Sequence, residues 1–214
     1  MFKMEMDSLF SSSKWDIIKE LATEKFSPLE LAQRSNTTIA NVSQQLRLLE
    51  VSGLLKKEKV PNRDKGKPRT LYSMSNNYAY LVSAMNDFAD KRLLELTDYH
   101  KIILKIWFLE DKNLHYYLEK FYWKIEPYLG KMRALAIKTN NGKIDVFIVT
   151  HHEELKKKLS NVVIANNKDE SKEFIIKFYT DEQIKKISLN NISVLYDPCG
   201  IFSMLKQQYS THLR

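Results

Sequence analysis

The sequence predicts an α+β protein with a helical N-terminal module, a long helical middle segment and a small C-terminal α/β domain. Three observations lead to this prediction. Apolar residues recur at helical spacing up to Gly53, and two strand-like runs follow directly after it. No glycine occurs between Gly66 and Gly130. The 214 residues are enough for more than one modest domain, and we expect three segments, at 1–75, 76–130 and 131–214.

The first helices are predicted from residues 8–34. Leu9, Trp15, Ile18 and Leu21 recur at helical spacing within 8–25. The segment Ser27-Pro28-Leu29-Glu30 then has the pattern of a capping box, with Ser at the N-cap, Pro at the first helical position and Glu three residues after the Ser. This pattern predicts a short helix over 28–34.

A further helix is predicted over 38–51, with a break and N-cap within Asn36-Thr37-Thr38 and Gly53 as its stop. Its apolar face consists of Ile39, Val42, Leu46 and Leu49, which we expect in the core. Two strand-like runs, 54–60 and 69–75, flank the loop PNRDKGKP. Helix, short helix, helix and β-hairpin, in this order, form a winged helix-turn-helix.

The outward face of helix 38–51 is polar and not acidic, as contact with DNA requires. Asn and Gln can bond adenine bidentately, Arg can contact guanine or phosphate, and Thr and Ser can serve either. Small side chains between them allow the helix to approach the bases. The expected major-groove residues are Thr38, Ala40, Asn41, Ser43, Gln44 and Arg47.

The hairpin that follows holds most of the excess positive charge. The formal net charge of the chain is +8, and the stretch from Val51 to Ser75 has seven basic residues against two acidic ones. A basic loop after a recognition helix is suited to phosphate contact or to a minor groove. We expect these contacts from Arg63, Lys65, Lys67 and Arg69. The alternative is a solvated hairpin tip.

Residues 29–75 resemble the ArsR-type, and more loosely the MarR-type, winged-helix regulators of bacteria and archaea. The resemblance lies in VSQQLRLLEVSGLL, where Val42, Ser43, Leu46, Leu49, Gly53 and Leu54 fit the family's pattern and Gln45 stands where a histidine is usual. It implies a homodimeric repressor that binds palindromic double-stranded DNA, and we expect an archaeal one. Metal-sensing members have a cysteine pair near the recognition helix, which this chain lacks.

The middle segment is predicted to be helical over 77–129, with breaks near Thr97-Asp98 and near residues 111–113. Its bulky residues, among them Trp107 and Trp123, exceed what one solvated helix can expose. We expect them in a core or dimer interface. The alternative is the lining of a ligand pocket.

The C-terminal segment is predicted to be mixed α/β. Two strand-like runs straddle Asn140-Asn141-Gly142, and helices and strands then alternate to about residue 209. This part resembles the small nucleotidyltransferase domains that archaea often fuse to winged helices. Of the family's Asp-x-Asp pair only Asp145 is present, with Lys143 at the other position and no Gly-Ser before it. Two carboxylates are needed to hold the two cations, so we expect a degenerate, non-catalytic copy.

Other chemistry finds little support in the sequence. The single cysteine, Cys199, forms no disulfide within the chain, and His151-His152 before Glu153-Glu154 predicts a solvated helix start. No signal peptide or membrane span is visible, so we expect a cytoplasmic protein. We also expect no cofactor, no metal and no catalytic residues. The sequence does not identify an effector molecule. The alternatives to a regulator are a nucleotidyltransferase-like enzyme, or its inactive homologue, that docks on nucleic acid through the winged helix, and a protein-interaction module.

Overall fold

The structure is a computed structural model that describes residues 6–61, 68–140, 143–159, 161–188 and 190–205. Helices and strands are mixed, which confirms the α+β class. The chain divides into two compact units, Met1–Leu96 and Thr97–Arg214. The division therefore lies inside the predicted segment 76–130, at the break predicted near Thr97-Asp98.

Unit 1 begins with four helices, which pack around one hydrophobic cluster. The capping box is confirmed, because the Ser27 backbone N–H donates to Glu30 Oε2 over 2.8 Å and the Ser27 hydroxyl accepts from the Glu30 N–H. The predicted helix over 8–25 is two helices, interrupted between Leu9 and Ser12. The four are α1 (Met6–Leu9), α2 (Ser12–Leu21), α3 (Pro28–Arg34) and α4 (Ile39–Val51).

The predicted hairpin after α4 is confirmed as an antiparallel pair of strands, β1 (Leu55–Val60) and β2 (Arg69–Met74). Gly53 has a φ of 82°, a left-handed conformation that ends the helix and that a side chain would strain. Phe26, between α2 and α3, bridges to Tyr72 on β2. This bridge ties the helices to the hairpin, and Leu54 and Leu55 are buried in the same cluster as α2–α4.

The prediction of helix over 77–129 is wrong for its first part. Residues Tyr78–Met85 form β3 and Phe88–Glu95 form β4, paired antiparallel in full register. The absence of glycine does not exclude a turn here, because Asn86-Asp87 form the turn between these strands without a positive φ. Aromatic and β-branched residues favour a strand, and they alternate at Tyr78, Tyr80 and Val82. The helix prediction gave more weight to the absence of glycine and proline than to this alternation.

Unit 2 begins with two helices, and both predicted breaks around them are confirmed. Thr97 is the N-cap of α5 (Asp98–Trp107), and a 3₁₀ turn at Lys112–Leu114 precedes α6 (His115–Ile125). The predicted alternation of strands and helices follows. Its elements are β5 (Ala134–Asn140), β6 (Lys143–Val149), α7 (Glu153–Lys158), β7 (Val162–Ala165), β8 (Ser171–Tyr179), α8 (Asp181–Ile184), β9 (Ser193–Tyr196) and a helical turn at 201–205.

The strands of unit 2 form one mixed sheet in the order β7-β8-β6-β5-β9, in which only β6 and β8 run parallel. Helices α5 and α6 pack on one face, where Phe121 stacks on Phe174 with ring centroids 4.5 Å apart. The turn 201–205 and α8 cover part of the other face. In the described part of the chain no helix has the length and apolarity that crossing a bilayer requires.

Candidate nucleic-acid interface

Helix α4 is fixed on unit 1 by one apolar face. Val42, Leu46 and Leu49 are fully buried, as the sequence predicts. Ile39 is not in the core, since 48% of it is exposed. It shares the angular position of Leu46 but is the first residue of the helix, directly after the Thr38 cap. The core face is therefore one turn shorter than the periodicity predicts.

The opposite side of α4 is an exposed stripe, consisting of Ala40, Ser43, Gln44 and Arg47. These positions recur at i, i+3, i+4 and i+7 and so share one face. Within the described residues, no hydrogen bond or ion pair engages the side chain of Ser43, Gln44 or Arg47. The structure thus brings together four of the six residues that the sequence predicts for the major groove.

The other two predicted base readers, Thr38 and Asn41, take part in the local structure of the helix start. The Thr38 hydroxyl accepts from the Asn41 backbone N–H over 3.2 Å, which caps α4. Asn41 Nδ2 donates to Thr37 Oγ1 over 3.0 Å, and Asn41 Oδ1 accepts from Gln45 Nε2 over 3.3 Å. Both ends of the Asn41 amide are therefore engaged, and the residue is half-buried.

The basic residues of the β1–β2 hairpin fall into three groups. Arg63, Lys65 and Lys67 lie in 62–67, outside the described residues. Arg69 lies at the start of β2, and its guanidinium is 2.9 Å from Glu30 Oε1. Lys57 is likewise paired, 2.8 Å from Glu50 at the end of α4. Part of the hairpin's charge is therefore neutralised within unit 1.

Two hairpin lysines that the sequence did not single out remain available. Lys56 and Lys59 are exposed on β1, and neither forms an ion pair with a described carboxylate. Alternation along a strand places them on opposite faces of the hairpin. A count of charges alone cannot separate them from Lys57, because the pairing with Glu50 depends on where α4 ends.

Hydrogen bonding lowers the pKa of Glu30. The Ser27 hydroxyl donates to the carboxylate over 2.7 Å, the Ser27 backbone N–H donates as well, and the guanidinium of Arg69 adds its positive charge. Each of these favours the ionised form. The start of α3 is thereby linked to the first residue of β2.

In unit 2, the carboxylate of Asp145 is paired. It lies in the middle of β6, where Lys177 Nζ on β8 approaches Oδ1 to 2.8 Å. His151 and His152 are exposed before α7, and His151 Nε2 is 3.7 Å from Asp181 Oδ1. Arg133 engages the same Asp181 with two nitrogens. The described residues contain no group of three or more His, Cys, Asp or Glu side chains suited to a metal.

Comparison with protein-family models and with curated proteins finds no match for this chain. The functional interpretation therefore depends on the residues themselves. Among the described residues of unit 1, the side chains of Gln44 and Arg47 on α4 and of Lys56 and Lys59 on β1 are exposed and form no ion pair with a described carboxylate.

Proposed function

We propose that the chain is a DNA-binding transcription regulator, a repressor of the ArsR-like winged-helix type. Helix α4 reads the major groove, and the β1–β2 hairpin contacts the phosphate backbone as the wing. The observation that carries the proposal is the exposed stripe of α4, where the side chains of Gln44 and Arg47 form no hydrogen bond or ion pair with any described residue. Two residues able to bond bases are thus presented together on a helix whose opposite face is buried.

The composition of the stripe supports major-groove contact over protein binding. Ala40 and Ser43 are small and let the backbone approach the base edges, while Gln44 and Arg47 have the donors and acceptors that distinguish bases. An interface with a protein partner would favour an apolar or aromatic centre. Ile39 and Val51 are exposed at the two ends of the helix and not within the stripe.

The hairpin supplies the sequence-independent part of the affinity. Lys56 and Lys59 are its described unpaired cations, and Arg63, Lys65 and Lys67 remain predicted contacts. Each phosphate that a lysine or arginine neutralises releases condensed counterions, so affinity falls as salt rises. Arg69 has a different role in this proposal, because its pairing with Glu30 fixes β2 against α3.

We also propose that the regulator is a homodimer, joined through the β3–β4 hairpin. The register places Leu81, Met85 and Phe88 on one face, all of them exposed. The other face packs at its base on the helices of unit 1, where Tyr80 stacks on Phe10. An isolated two-stranded sheet is marginal in water. Asp90 and Arg92, paired over 2.8 Å on the apolar face, can exchange partners with a second copy.

The DNA-reading proposal is tested by selecting duplexes from a random pool with the full chain and measuring affinities for the selected and a scrambled sequence. We expect Gln44→Ala and Arg47→Ala each to weaken binding to the selected sequence by about 1–3 kcal/mol and to relax specificity at one or two positions. Lys168→Ala, which removes an exposed charge from unit 2, is the matched control. Failure to enrich any sequence, or equal losses on both duplexes, would contradict base reading.

The dimer is tested by light scattering of the full chain at micromolar concentration. We expect twice the chain mass of 25.2 kDa, and the chain mass alone for Phe88→Glu. Val82→Glu places the same charge on the opposite face of the hairpin, where Val82 is 69% exposed, and should leave the dimer intact. A monomeric parent chain, or dissociation by Val82→Glu alone, would show that this face is not the interface.

A further inference from the structure

The outer side of helix α6 in unit 2 has two exposed aromatic residues, Tyr116 at 40% and Trp123 at 52%. On the neighbouring α5, Trp107 is 55% exposed and donates its indole N–H to Glu119 Oε1 of α6 over 2.6 Å. The sequence predicts Trp107 and Trp123 in a core or in a dimer interface, and these exposures exclude the core. The opposite side of α6 packs in the hydrophobic cluster of unit 2 and consists of Tyr117, Leu118, Phe121, Tyr122 and Ile125.

Two opposite charges, Glu119 and Lys120, lie between the aromatic residues of α6. Positions 116, 119, 120 and 123 follow the spacing i, i+3, i+4 and i+7, so their side chains share one face of the helix, the α6 patch. Neither Glu119 nor Lys120 forms an ion pair with a described residue, and Lys120 Nζ lies 5.7 Å from the centre of the Tyr116 ring. Adjacent residues on a helix do not face each other, so each charge still lacks a counterion from the protein.

The α6 patch is complementary to itself. Its order along the helix is aromatic, acidic, basic, aromatic. If a second copy of α6 packs antiparallel, with a two-fold axis between positions 119 and 120, Tyr116 faces Trp123 of the partner subunit and Glu119 faces Lys120 of the partner subunit. The axis repeats both pairs, so each ring meets a ring and each charge meets its opposite. A parallel arrangement would instead place like charges side by side.

We propose that the α6 patch is an interface between two copies of this chain, in which the α6 helices pack antiparallel within the homodimer. This inference rests on the homodimer of the proposed function and adds a second contact to it, between the second units of the two copies. Tyrosine and tryptophan are enriched at such interfaces. Their rings bury a large apolar area and stack favourably on each other.

The size of the patch determines its role in the dimer. The exposed parts of Tyr116, Trp123 and Trp107 amount to about 400 Å² per copy at most, roughly half of what a standard stable interface buries on each partner. The contact is therefore too small to join two chains at micromolar concentration by itself. It forms once the β3–β4 hairpins have joined the chains, because the second contact is then intramolecular and has a high effective concentration.

The test is the dissociation constant of the dimer, measured on the full chain by sedimentation over a dilution series. Glu119→Lys and Lys120→Glu each place like charges opposite one another twice in the dimer, and we expect each to raise the dissociation constant roughly tenfold. The double variant Glu119→Lys/Lys120→Glu restores both pairs with the charges exchanged. It should return the constant to within roughly threefold of the parent value. A role of these residues within one chain would not produce this rescue.

A further variant tests the aromatic part of the patch. Trp123→Gln removes the ring that faces Tyr116 of the partner subunit and should also raise the dissociation constant roughly tenfold. Val163→Gln, at a 62% exposed residue of β7, is the control for removing an exposed apolar side chain. Lys168→Glu is the control for the change of charge. Both controls should leave the constant unchanged, and a loss as large in either of them as in Trp123→Gln or Lys120→Glu would overturn the interface.

The outcomes separate this interface from the proposed function. Single charge variants without effect, or a double variant without rescue, overturn the α6 interface, and the hairpin interface stands if Phe88→Glu still dissociates the dimer. Dissociation by the α6 variants but not by Phe88→Glu supports the α6 interface and contradicts the hairpin interface. A parent chain that is monomeric throughout the dilution series overturns both interfaces and leaves the reading of DNA to the duplex selection.

Discussion

Ser27 and Glu30 hold the start of α3 through a reciprocal pair of hydrogen bonds. The Ser27 side chain is the N-cap, and the whole residue is buried. We predict that Ser27→Ala lowers the free energy of unfolding by about 1 kcal/mol, because the N–H of Glu30 loses its acceptor. Urea denaturation measures this loss. Ser43→Ala, exposed on α4, should change stability by less than about 0.5 kcal/mol; an equal loss in both variants would contradict the capping role.

The lowered pKa of Glu30 predicts that the stability of the protein depends on pH. Its pKa is lowered from the ordinary 4.5, first by the hydrogen bond from the Ser27 side chain and then by the Ser27 N–H and Arg69. A carboxyl whose pKa falls on folding stabilises the protein fully above the unfolded-state pKa, and the stabilisation is lost as the pH falls through the folded-state pKa. We expect the stability difference between the parent chain and Glu30→Gln to be constant above about pH 5.5 and to shrink below pH 4.5.

Denaturant unfolding of the parent chain and of Glu30→Gln between pH 7 and pH 3 checks this expectation. Asp98→Asn, at an exposed ion pair with Lys101 in unit 2, is a control for the general effect of removing a carboxylate. A difference between parent and Glu30→Gln that stays constant down to pH 3 would show that the carboxylate is not stabilised by folding.

Asn41 shows what residue type and spacing leave undecided. The sequence alone places it on the outward side of α4 beside Ser43 and Gln44, with chemistry suited to adenine. In the structure it bonds Thr37 and Gln45 and is half-buried. Whether an amide meets a partner within the fold depends on the turn between α3 and α4, which periodicity does not describe.

At the scale of elements, β1 is an uneven source of positive charge, since Lys57 is paired with Glu50 whereas Lys56 and Lys59 have no described partner. We predict that Lys56→Ala or Lys59→Ala, whichever of the two lysines contacts phosphate, reduces the slope of log affinity against log salt by about 1 and weakens binding alike on selected and scrambled duplexes. Filter binding across a salt series measures the slope.

The control for this series is Lys168→Ala, which lowers the net charge equally from unit 2. If it reduces the slope as much as the β1 variants do, the salt dependence reflects overall charge and not contacts of the hairpin. If neither β1 variant alters the slope, β1 lies away from the phosphates and the proposed orientation of the wing is wrong.

The elements also separate strong local signals from weak ones. The capping box at Ser27, the stop at Gly53 and the break at Thr97 were all predicted, because each is a backbone requirement that a particular residue type meets locally. The β3–β4 hairpin was missed, because the lack of Gly and Pro in its strands and turn was given more weight than the alternation at Tyr78, Tyr80 and Val82. The pairing of β3 with β4 makes this segment a hairpin, and such pairing is not a property of either strand alone.

At the scale of the whole chain, the two units have hydrophobic clusters that share no residue. We predict that Leu46→Ala destabilises unit 1 by about 2–5 kcal/mol and that Phe174→Ala destabilises unit 2 by about 3–5 kcal/mol, because each leaves a cavity in a fully buried place. Hydrogen exchange resolved by mass spectrometry reads the two units separately. Each variant should raise exchange in its own unit; equal acceleration in both units would contradict separate cores.

The sequence by itself determined the α+β class, the order of elements in 8–60, the capping box, the strands of the β1–β2 hairpin and the mixed α/β character of unit 2. These follow from local periodicity, capping and turn chemistry, which act over a few residues. Only the tertiary structure decided that β3–β4 is a hairpin, that Ile39 is exposed, that Asn41 is bonded within the fold, and that Arg69, Lys57 and Asp145 are paired. These outcomes depend on residues distant in sequence, and contacts between them leave no periodic trace along the chain.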